Sequence, residues 1–122
     1  MKILLVEDNI LNQKVVSFNL RKFEYDVIAV TNGTDALDQF ENENFNLVLM
    51  DLMLPGMNGY EITREIRKME KQAGLGKEIP IIAITANTLD NDRQKCFEAG
   101  MNDYLAKPFT VEELLQKVKL FI

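Results

Sequence analysis

Several residue types that enzymes and metal proteins commonly use are missing from this chain. Its 122 residues include no histidine and a single cysteine, Cys96. The absence of histidine excludes a Ser-His-Asp triad, a histidine general base and a histidine-ligated metal. A lone cysteine excludes an internal disulfide bond and a cysteine-based zinc site. Any chemistry must therefore use other side chains.

Long apolar runs and an excess of basic residues are also lacking. No apolar stretch approaches the roughly 20 residues of a membrane helix. The run Ile3–Val6 is too short for a signal peptide and meets Glu7 and Asp8, so we expect a buried strand in a soluble, cytoplasmic protein. Acidic residues outnumber basic ones by 19 to 14, giving a net charge of -5. Because nucleic-acid binding needs a basic surface, this balance argues against direct contact with nucleic acid.

The length and composition suit one domain that spans residues 1–122. Five short apolar segments predict strands: Ile3–Val6, Asp26–Val30, Asn46–Met50, Pro80–Ile84 and Asp103–Ala106. Their continuous apolar character favours strands that are buried on both faces. The segments between them carry apolar residues at helical spacing. This alternation predicts an α/β fold, with a parallel sheet covered by helices on both faces.

The helical segments differ in how clearly their apolar stripes are defined. The first has two stripes, one of Leu11, Val15 and Phe18 and one of Val16, Leu20 and Phe23. Before the last helix, Thr110 and Glu113 have the spacing of a capping box. The segment Asp90–Ala99, with Leu89, is a weaker helix candidate, and Lys71–Ile79 is predicted to be the longest loop.

Polar residues stand where the predicted strands end: Glu7, Asp8, Asp51, Thr85 and Lys107. Because the carboxyl ends of parallel strands meet at one edge of a sheet, we expect these side chains to converge there. Three crowded carboxylates need a cation, and all-oxygen ligation suits Mg²⁺, with Mn²⁺ as an alternative. Asp51 is then a candidate nucleophile, and Thr85 and Lys107 are candidates to hold a tetrahedral anion. The set predicts a site for phosphoryl transfer.

Four segments at these strand ends resemble the motifs of two-component response-regulator receiver domains: Ile3–Asn9, Leu49–Gly59, Ile84–Ala86 and Leu105–Phe109. They occur in the family's order and span the chain, and Asn9, Asn12 and Gln13 resemble receivers of hybrid histidine kinases. The resemblance implies a flavodoxin-like, doubly wound (βα)5 sandwich whose five-stranded parallel sheet has the order 2-1-3-4-5. It also implies a phosphoacceptor switch in a phosphorelay rather than a dedicated enzyme.

The resemblance implies a role for each acidic position. Asp51 would accept a phosphoryl group from the phosphohistidine of a histidine kinase or a histidine phosphotransfer protein. Asp8, Asp51 and the backbone carbonyl of Met53 would bind Mg²⁺, and Glu7 would act through a metal-bound water. Glu7 stands where many receivers have a second aspartate, a difference that bears on metal affinity.

The resemblance also assigns the residues that hold and sense the phosphoryl group. Thr85 and Lys107 would bind its oxygens, and the Lys107–Pro108 peptide bond would be cis. Tyr104 matches an aromatic switch residue, whose ring would turn inward when Thr85 follows the phosphoryl group.

A phosphohistidine donor must dock on the rim around Asp51. Leu11, Val15 and Phe109 lie close to that rim in the chain, and we expect them to form an apolar surface for a helical phosphotransfer partner. We expect a monomer or weak homodimer without membrane contact of its own, unless a hybrid kinase tethers it.

Other functions remain as alternatives. A phosphate-independent interaction module usually lacks the acceptor aspartate or the lysine, and this chain has both Asp51 and Lys107. An aspartyl-nucleophile phosphatase needs a second aspartate where this chain has Met53. A flavin carrier needs a phosphate-binding loop where Glu7 and Asp8 stand. The sequence leaves open whether the chain acts alone or as a segment of a larger kinase.

Overall fold

The computed structural model describes residues 1–74, 76, 78–86 and 90–122. The strands in this part of the chain are Lys2–Val6 (β1), Asp26–Val30 (β2), Leu47–Asp51 (β3), Ile81–Thr85 (β4) and Asp103–Ala106 (β5). The helices are Ile10–Lys22 (α1), Gly33–Asn42 (α2), Gly59–Ala73 (α3), Asp90–Ala99 (α4) and Val111–Phe121 (α5). Strands and helices alternate, as the sequence predicts. None of these helices is both long and apolar enough to cross a membrane.

The strands form one parallel sheet with the order β2-β1-β3-β4-β5, which confirms the order that the resemblance implies. The register is continuous across its centre, where Leu5 of β1 lies opposite Ala29 of β2 and Leu49 of β3. Because all pairs are parallel, the strands end together along one side of the sheet, here called the carboxyl edge. The opposite side is called the amino edge.

Helices cover both faces of the sheet, because successive strand side chains point to opposite faces. On one face, Leu4 and Val6 of β1 belong to a core shared with α2, α3 and α4. On the other face, Ile3 and Leu5 belong to a core shared with α1 and α5. Burial on both faces accounts for the continuous apolar runs in the sequence.

Four elements differ slightly from the predicted bounds, and β1 begins one residue earlier, at Lys2. Strands β3 and β4 begin and end one residue later than predicted, so Asp51 and Thr85 lie inside the ladder, paired with Ile84 and Ala106. Helix α3 continues through Ala73, so the predicted loop Lys71–Ile79 is too long. Gly74, with a φ of 65°, ends this helix in the left-handed conformation that glycine adopts without strain.

Helix α1 buries two of the three residues of one predicted stripe, whereas Phe23, the third, is 47% exposed at the end of the helix. Val16 and Leu20 lie in the core, whereas Leu11, Val15 and Phe18 are 70%, 53% and 68% exposed. These three exposed side chains are here called the α1 ridge. Of the apolar residues that predicted α4, Ala99 is buried and Phe97 is exposed. Leu89 lies outside the described residues.

A buried polar network, which sequence reasoning missed, ties α3 to the end of α4 near the amino edge. The guanidinium of Arg67 donates from Nε and Nη2 to the carbonyl oxygen of Gly100 at 2.9 and 2.7 Å, and from Nη2 to Asn102 Oδ1 at 2.9 Å. It also donates from Nη1 to Glu70 Oε1 at 2.7 Å. The other oxygen of Glu70 accepts from the backbone N–H of Ile79 at 2.6 Å. One ion pair therefore fixes three separate segments of the chain.

Candidate functional site

The carboxyl edge brings together three of the predicted site residues. Glu7, Asp8 and Asp51 each offer a carboxylate oxygen, and these oxygens all lie within 4.8 Å of one another. Glu7 and Asp51 are only 3% exposed, whereas Asp8 faces solvent. Two buried carboxylates thus meet one exposed carboxylate at the mouth of a shallow acidic site.

Lys107 supplies the positive charge of the site. Its Nζ atom donates to Asp51 Oδ2 at 3.1 Å and lies 3.6 Å from Glu7 Oε2. Its backbone N–H donates to the carbonyl oxygen of Thr85 at 2.8 Å, which joins the end of β5 to the end of β4. The Lys107–Pro108 peptide bond is cis, as the resemblance implies. The lysine therefore reaches both buried carboxylates from a fixed backbone position.

One ammonium does not balance three carboxylates, and the pKa of Glu7 reflects this. Burial is the main cause that raises the pKa of Glu7 above its ordinary 4.5, and the side chain of Asp51 raises it further. Lys107 and the N–H of Asn9 act in the opposite direction. A hard divalent cation would relieve the remaining repulsion, and clustered carboxylate oxygens are the ligands that Mg²⁺ prefers. The residues present therefore fit such an ion.

The backbone around Asp51 sets the direction of its carboxylate. Asp51 Oδ1 accepts from the backbone N–H of Met53 at 2.9 Å. Gly59, the first residue of α3, donates its N–H to the carbonyl oxygen of Leu52 at 3.3 Å. A Cβ atom at Gly59 would lie 2.7 Å from the carbonyl oxygen of Asp51. Only glycine lets α3 begin this close to the acceptor strand. Met53 itself is 78% exposed.

Gln13 fixes the loop that carries the other two carboxylates, a role that the sequence analysis did not find. Its Nε2 atom donates to the carbonyl oxygens of Glu7 and Val30 at 3.2 and 3.0 Å. The backbone N–H of Glu7 also donates to the Val30 carbonyl at 3.0 Å. Asn9 caps α1 by accepting from the backbone N–H of Asn12 at 3.0 Å. These bonds hold the start of α1 against the ends of β1 and β2.

The two predicted switch residues lie on neighbouring strands. Thr85 is buried at the end of β4, and Tyr104 of β5 lies opposite Ala83, two residues before Thr85. Because strand side chains alternate between faces, Thr85 and Tyr104 share one face of the sheet. Tyr104 is half-buried against the core beneath α2, α3 and α4. A change at Thr85 therefore has a short path to the tyrosine ring.

The predicted docking residues divide into two groups. Leu11 and Val15 are exposed on the α1 ridge, one turn or two from Asp8, as the docking hypothesis requires. Phe109 is half-buried and packs against the core beneath α1 and α5. Phe18 completes the ridge, although sequence reasoning did not assign it to a docking surface.

Comparisons with known proteins agree on one family. The family model of the response regulator receiver domain matches residues 3–119. Hybrid signal transduction histidine kinase L of Dictyostelium discoideum is 35% identical over 123 residues, which cover 98% of this chain and 7% of the kinase. The chain thus spans a small fraction of that relative's length.

Solved structures of related domains have the same fold. The receiver domain of the sensor histidine kinase PA1611 from Pseudomonas aeruginosa, with a magnesium ion in its active site cleft, is 47% identical with a TM-score of 0.87 over 98% of this chain and 95% of that one. The receiver domain of a Saccharomyces cerevisiae response regulator, in complex with a histidine phosphotransfer protein, is 33% identical with a TM-score of 0.90 over 99% of this chain and 88% of that one.

Proposed function

Because this chain belongs to the family of response regulator receiver domains, we propose that Asp51 is its phosphoacceptor and that the chain switches conformation when Asp51 is phosphorylated. One observation carries the proposal: the buried carboxylate of Asp51 lies 3.1 Å from the Lys107 ammonium and beside two further carboxylates. We further propose that residues 1–122 form one receiver domain, monomeric or weakly dimeric, in the cytoplasm.

The chemistry needs few protein groups. A carboxylate oxygen of Asp51 forms a bond to phosphorus while the phosphorus–nitrogen bond of a phosphohistidine breaks, and the electron pair of that bond leaves with the imidazole nitrogen. The product is an acyl phosphate on Asp51. The Lys107 ammonium and the Thr85 hydroxyl hold the phosphoryl oxygens, so this site works mainly by positioning and charge neutralisation.

The acidic cluster would hold Mg²⁺, or Mn²⁺ in its place. Asp8, Asp51 and the backbone carbonyl of Met53 would bind it directly, and Glu7 through a water molecule. The ion would supply charge neutralisation for the carboxylates and for the phosphoryl oxygens. The magnesium in the related domain at 47% identity supports this assignment. Because Asp8 would bind the ion directly and Glu7 only through water, Asp8→Asn should weaken Mg²⁺ binding more than Glu7→Gln does.

The α1 ridge would receive the phosphohistidine donor. Leu11, Val15 and Phe18 are exposed on the helix that begins two residues after Asp8, and Phe109 would border this surface from the end of β5. An apolar helical stripe on the partner would cover the ridge and bring its imidazole to Asp51. The relative that was solved with a histidine phosphotransfer protein supports this class of partner.

The first experiment tests the acceptor. The purified chain is incubated with Mg²⁺ and a small phosphodonor, and its intact mass is measured. We expect one acid-stable, base-labile phosphoryl group per chain, lost in Asp51→Asn and in excess chelator. The circular dichroism of Asp51→Asn should match that of the wild type. Undiminished labelling of the Asp51→Asn variant would overturn the assignment of Asp51 as the acceptor. A wild-type chain that takes no label would instead favour the phosphate-independent interaction module.

The second experiment tests the donor surface. Leu11→Asp should slow phosphoryl transfer from a phosphorylated histidine phosphotransfer protein by about tenfold or more, because a central apolar contact is replaced by a charge. Labelling by the small phosphodonor should not change. Leu120→Asp is the matched control, since Leu120 is exposed to the same degree as Leu11, at 71%, and lies in the last turn of α5. Equal effects of the two variants would exclude the α1 ridge as the donor surface.

The third experiment tests the coupling between site and switch. Thr85→Ala should still be labelled at Asp51, but the amide shifts of residues 93–109 should respond weakly to beryllofluoride, a phosphate mimic. A full wild-type response in Thr85→Ala would show that the hydroxyl does not couple the site to Tyr104.

A further inference from the structure

We propose that Arg93 and Lys117 clamp the ring of Tyr104 between α4 and α5 and thereby hold the receiver in its resting conformation. The proposal rests on the switching function argued above and adds a regulatory element to it. It makes two surface cations, neither of which is part of the phosphoacceptor site, positioning residues for the switch.

The geometry of the ring carries the inference. The guanidinium carbon of Arg93, on α4, lies 4.7 Å from the centroid of the Tyr104 ring. The Nζ atom of Lys117, on α5, lies 5.6 Å from the same centroid. Both distances fall within the roughly 6 Å over which a cation is attracted to an aromatic face. Tyr104 itself is on β5, so the ring contacts cations from the two helices that flank its strand.

The lysine arm of the clamp is anchored to the strand that carries the tyrosine. Lys117 Nζ donates to Asp103 Oδ2 at 2.9 Å, and Asp103 Oδ1 accepts from the backbone N–H of Tyr104 at 2.8 Å. One carboxylate thus fixes both the start of the tyrosine backbone and the cation over its ring. The Lys117 side chain is 31% exposed, so solvent screens this contact less than a fully exposed one.

Turning the ring inward would separate it from both cations. At partly exposed sites each such contact changes a two-state equilibrium by about two- to fivefold. The clamp therefore favours the resting rotamer until a contact made only in the phosphorylated state outweighs it. If binding of the phosphate mimic favours the inward rotamer of Tyr104, then a shift toward that rotamer must raise the affinity for the mimic by the same factor. Loosening the clamp should thus strengthen the binding of a phosphate mimic at Asp51.

The test follows the ring directly in the full chain. The protein is labelled with 3-fluorotyrosine, and the Tyr104 signal is assigned from its loss in Tyr104→Phe. Arg93→Gln and Lys117→Gln each remove one cation from the ring. Lys95→Gln on α4 and Lys119→Gln on α5 are the matched controls, because each removes one exposed positive charge from the same helix. Thermal melts should show that all four variants are folded at the temperature of the measurement.

Without beryllofluoride, the Tyr104 signals of Arg93→Gln and Lys117→Gln should move toward the position seen with Mg²⁺ and beryllofluoride, by an amount that corresponds to a two- to fivefold change in population. Their affinity for beryllofluoride should rise by up to the same factor. The controls should remain at the wild-type position.

Two negative results have different meanings. If the wild-type ring responds to beryllofluoride but Arg93→Gln and Lys117→Gln behave like their controls, the clamp is refuted and the proposed function stands. If beryllofluoride binds at Asp51 and the Tyr104 signal does not move, both the clamp and the proposed tyrosine switch are wrong, although Asp51 remains the acceptor.

Discussion

Replacing Arg67 tests how much of the stability depends on a charged network inside the fold. Arg67 and Glu70 are 9% and 5% exposed, so Arg67→Met leaves the Glu70 carboxylate buried without its counter-ion. The variant also removes the donors that Arg67 extends to the Gly100 carbonyl and to Asn102. Removing one partner of a buried ion pair costs about 3–5 kcal/mol, because the other charge is left uncompensated. A domain of this size has a total stability of about 5–15 kcal/mol, so this loss is a large fraction of it.

The double variant Arg67→Met/Glu70→Met separates charge from hydrogen bonding. With both charges gone, the unpaired Ile79 N–H and Gly100 carbonyl remain, and their cost is about 1–3 kcal/mol. The double variant should therefore be more stable than Arg67→Met alone. Arg64→Met is the control on the same helix, and because Arg64 is exposed, its effect should stay within about 0.5 kcal/mol.

Urea unfolding followed by far-ultraviolet circular dichroism measures these differences, provided that the m-value stays constant. A loss of stability below about 1 kcal/mol in Arg67→Met, or a double variant that is less stable than Arg67→Met, would refute the reasoning.

Three further substitutions test other parts of the structure. In excess chelator, Glu7→Gln should be more stable than the wild type at pH 7, because the raised pKa of Glu7 makes wild-type stability fall as pH rises above 4.5. Urea unfolding should show that the difference in stability between variant and wild type grows with pH. A difference that does not change with pH would contradict this. Ser17→Ala should raise the free energy of unfolding by about 1 kcal/mol, because the buried Ser17 hydroxyl has no hydrogen-bond partner in the described part of the chain. A lower unfolding midpoint in urea would contradict this prediction. Gly59→Ala should lower the free energy of unfolding by about 1–3 kcal/mol through overpacking against the Asp51 backbone, and it should slow the labelling of Asp51. Unchanged stability and an unchanged labelling rate would show that α3 can move to accommodate the methyl group.

The fold and the convergence of the site could be predicted because both follow from local patterns. Continuous apolar runs separated by helical stripes determine a parallel sheet, and a parallel sheet brings every strand end to one edge. Glu7, Asp51 and Lys107 were therefore predictable neighbours before any coordinates were known. Their burial and distances were not, since these depend on how the helices and loops pack around the strand ends.

The sequence analysis missed two kinds of feature. One kind depends on contacts between distant segments of the chain, and the other depends on a choice between two apolar stripes of the same helix. Periodicity cannot say which of the two stripes of α1 faces the sheet, because both recur at helical spacing. Arg67 and Glu70 look like ordinary charged positions of a surface helix, and only the arrival of Gly100 makes them a buried network. The capping box of Asn58 and Glu61 was different: its spacing is visible in the sequence and could have located the start of α3.

The α1 ridge also determines how this molecule behaves when it is concentrated. A net charge of -5 keeps separate copies apart at neutral pH, even though each exposes three apolar side chains in a row. That repulsion vanishes near the isoelectric point of about 4.8, whereas the apolar surface is unchanged. Solubility should therefore pass through a minimum near pH 4.8. At that pH the α1 ridge, which is proposed to bind the phosphohistidine donor, can instead bind another copy of the same chain. Acidification would thus favour association between copies of this chain through the α1 ridge, in addition to protonating Glu7 at the acceptor site.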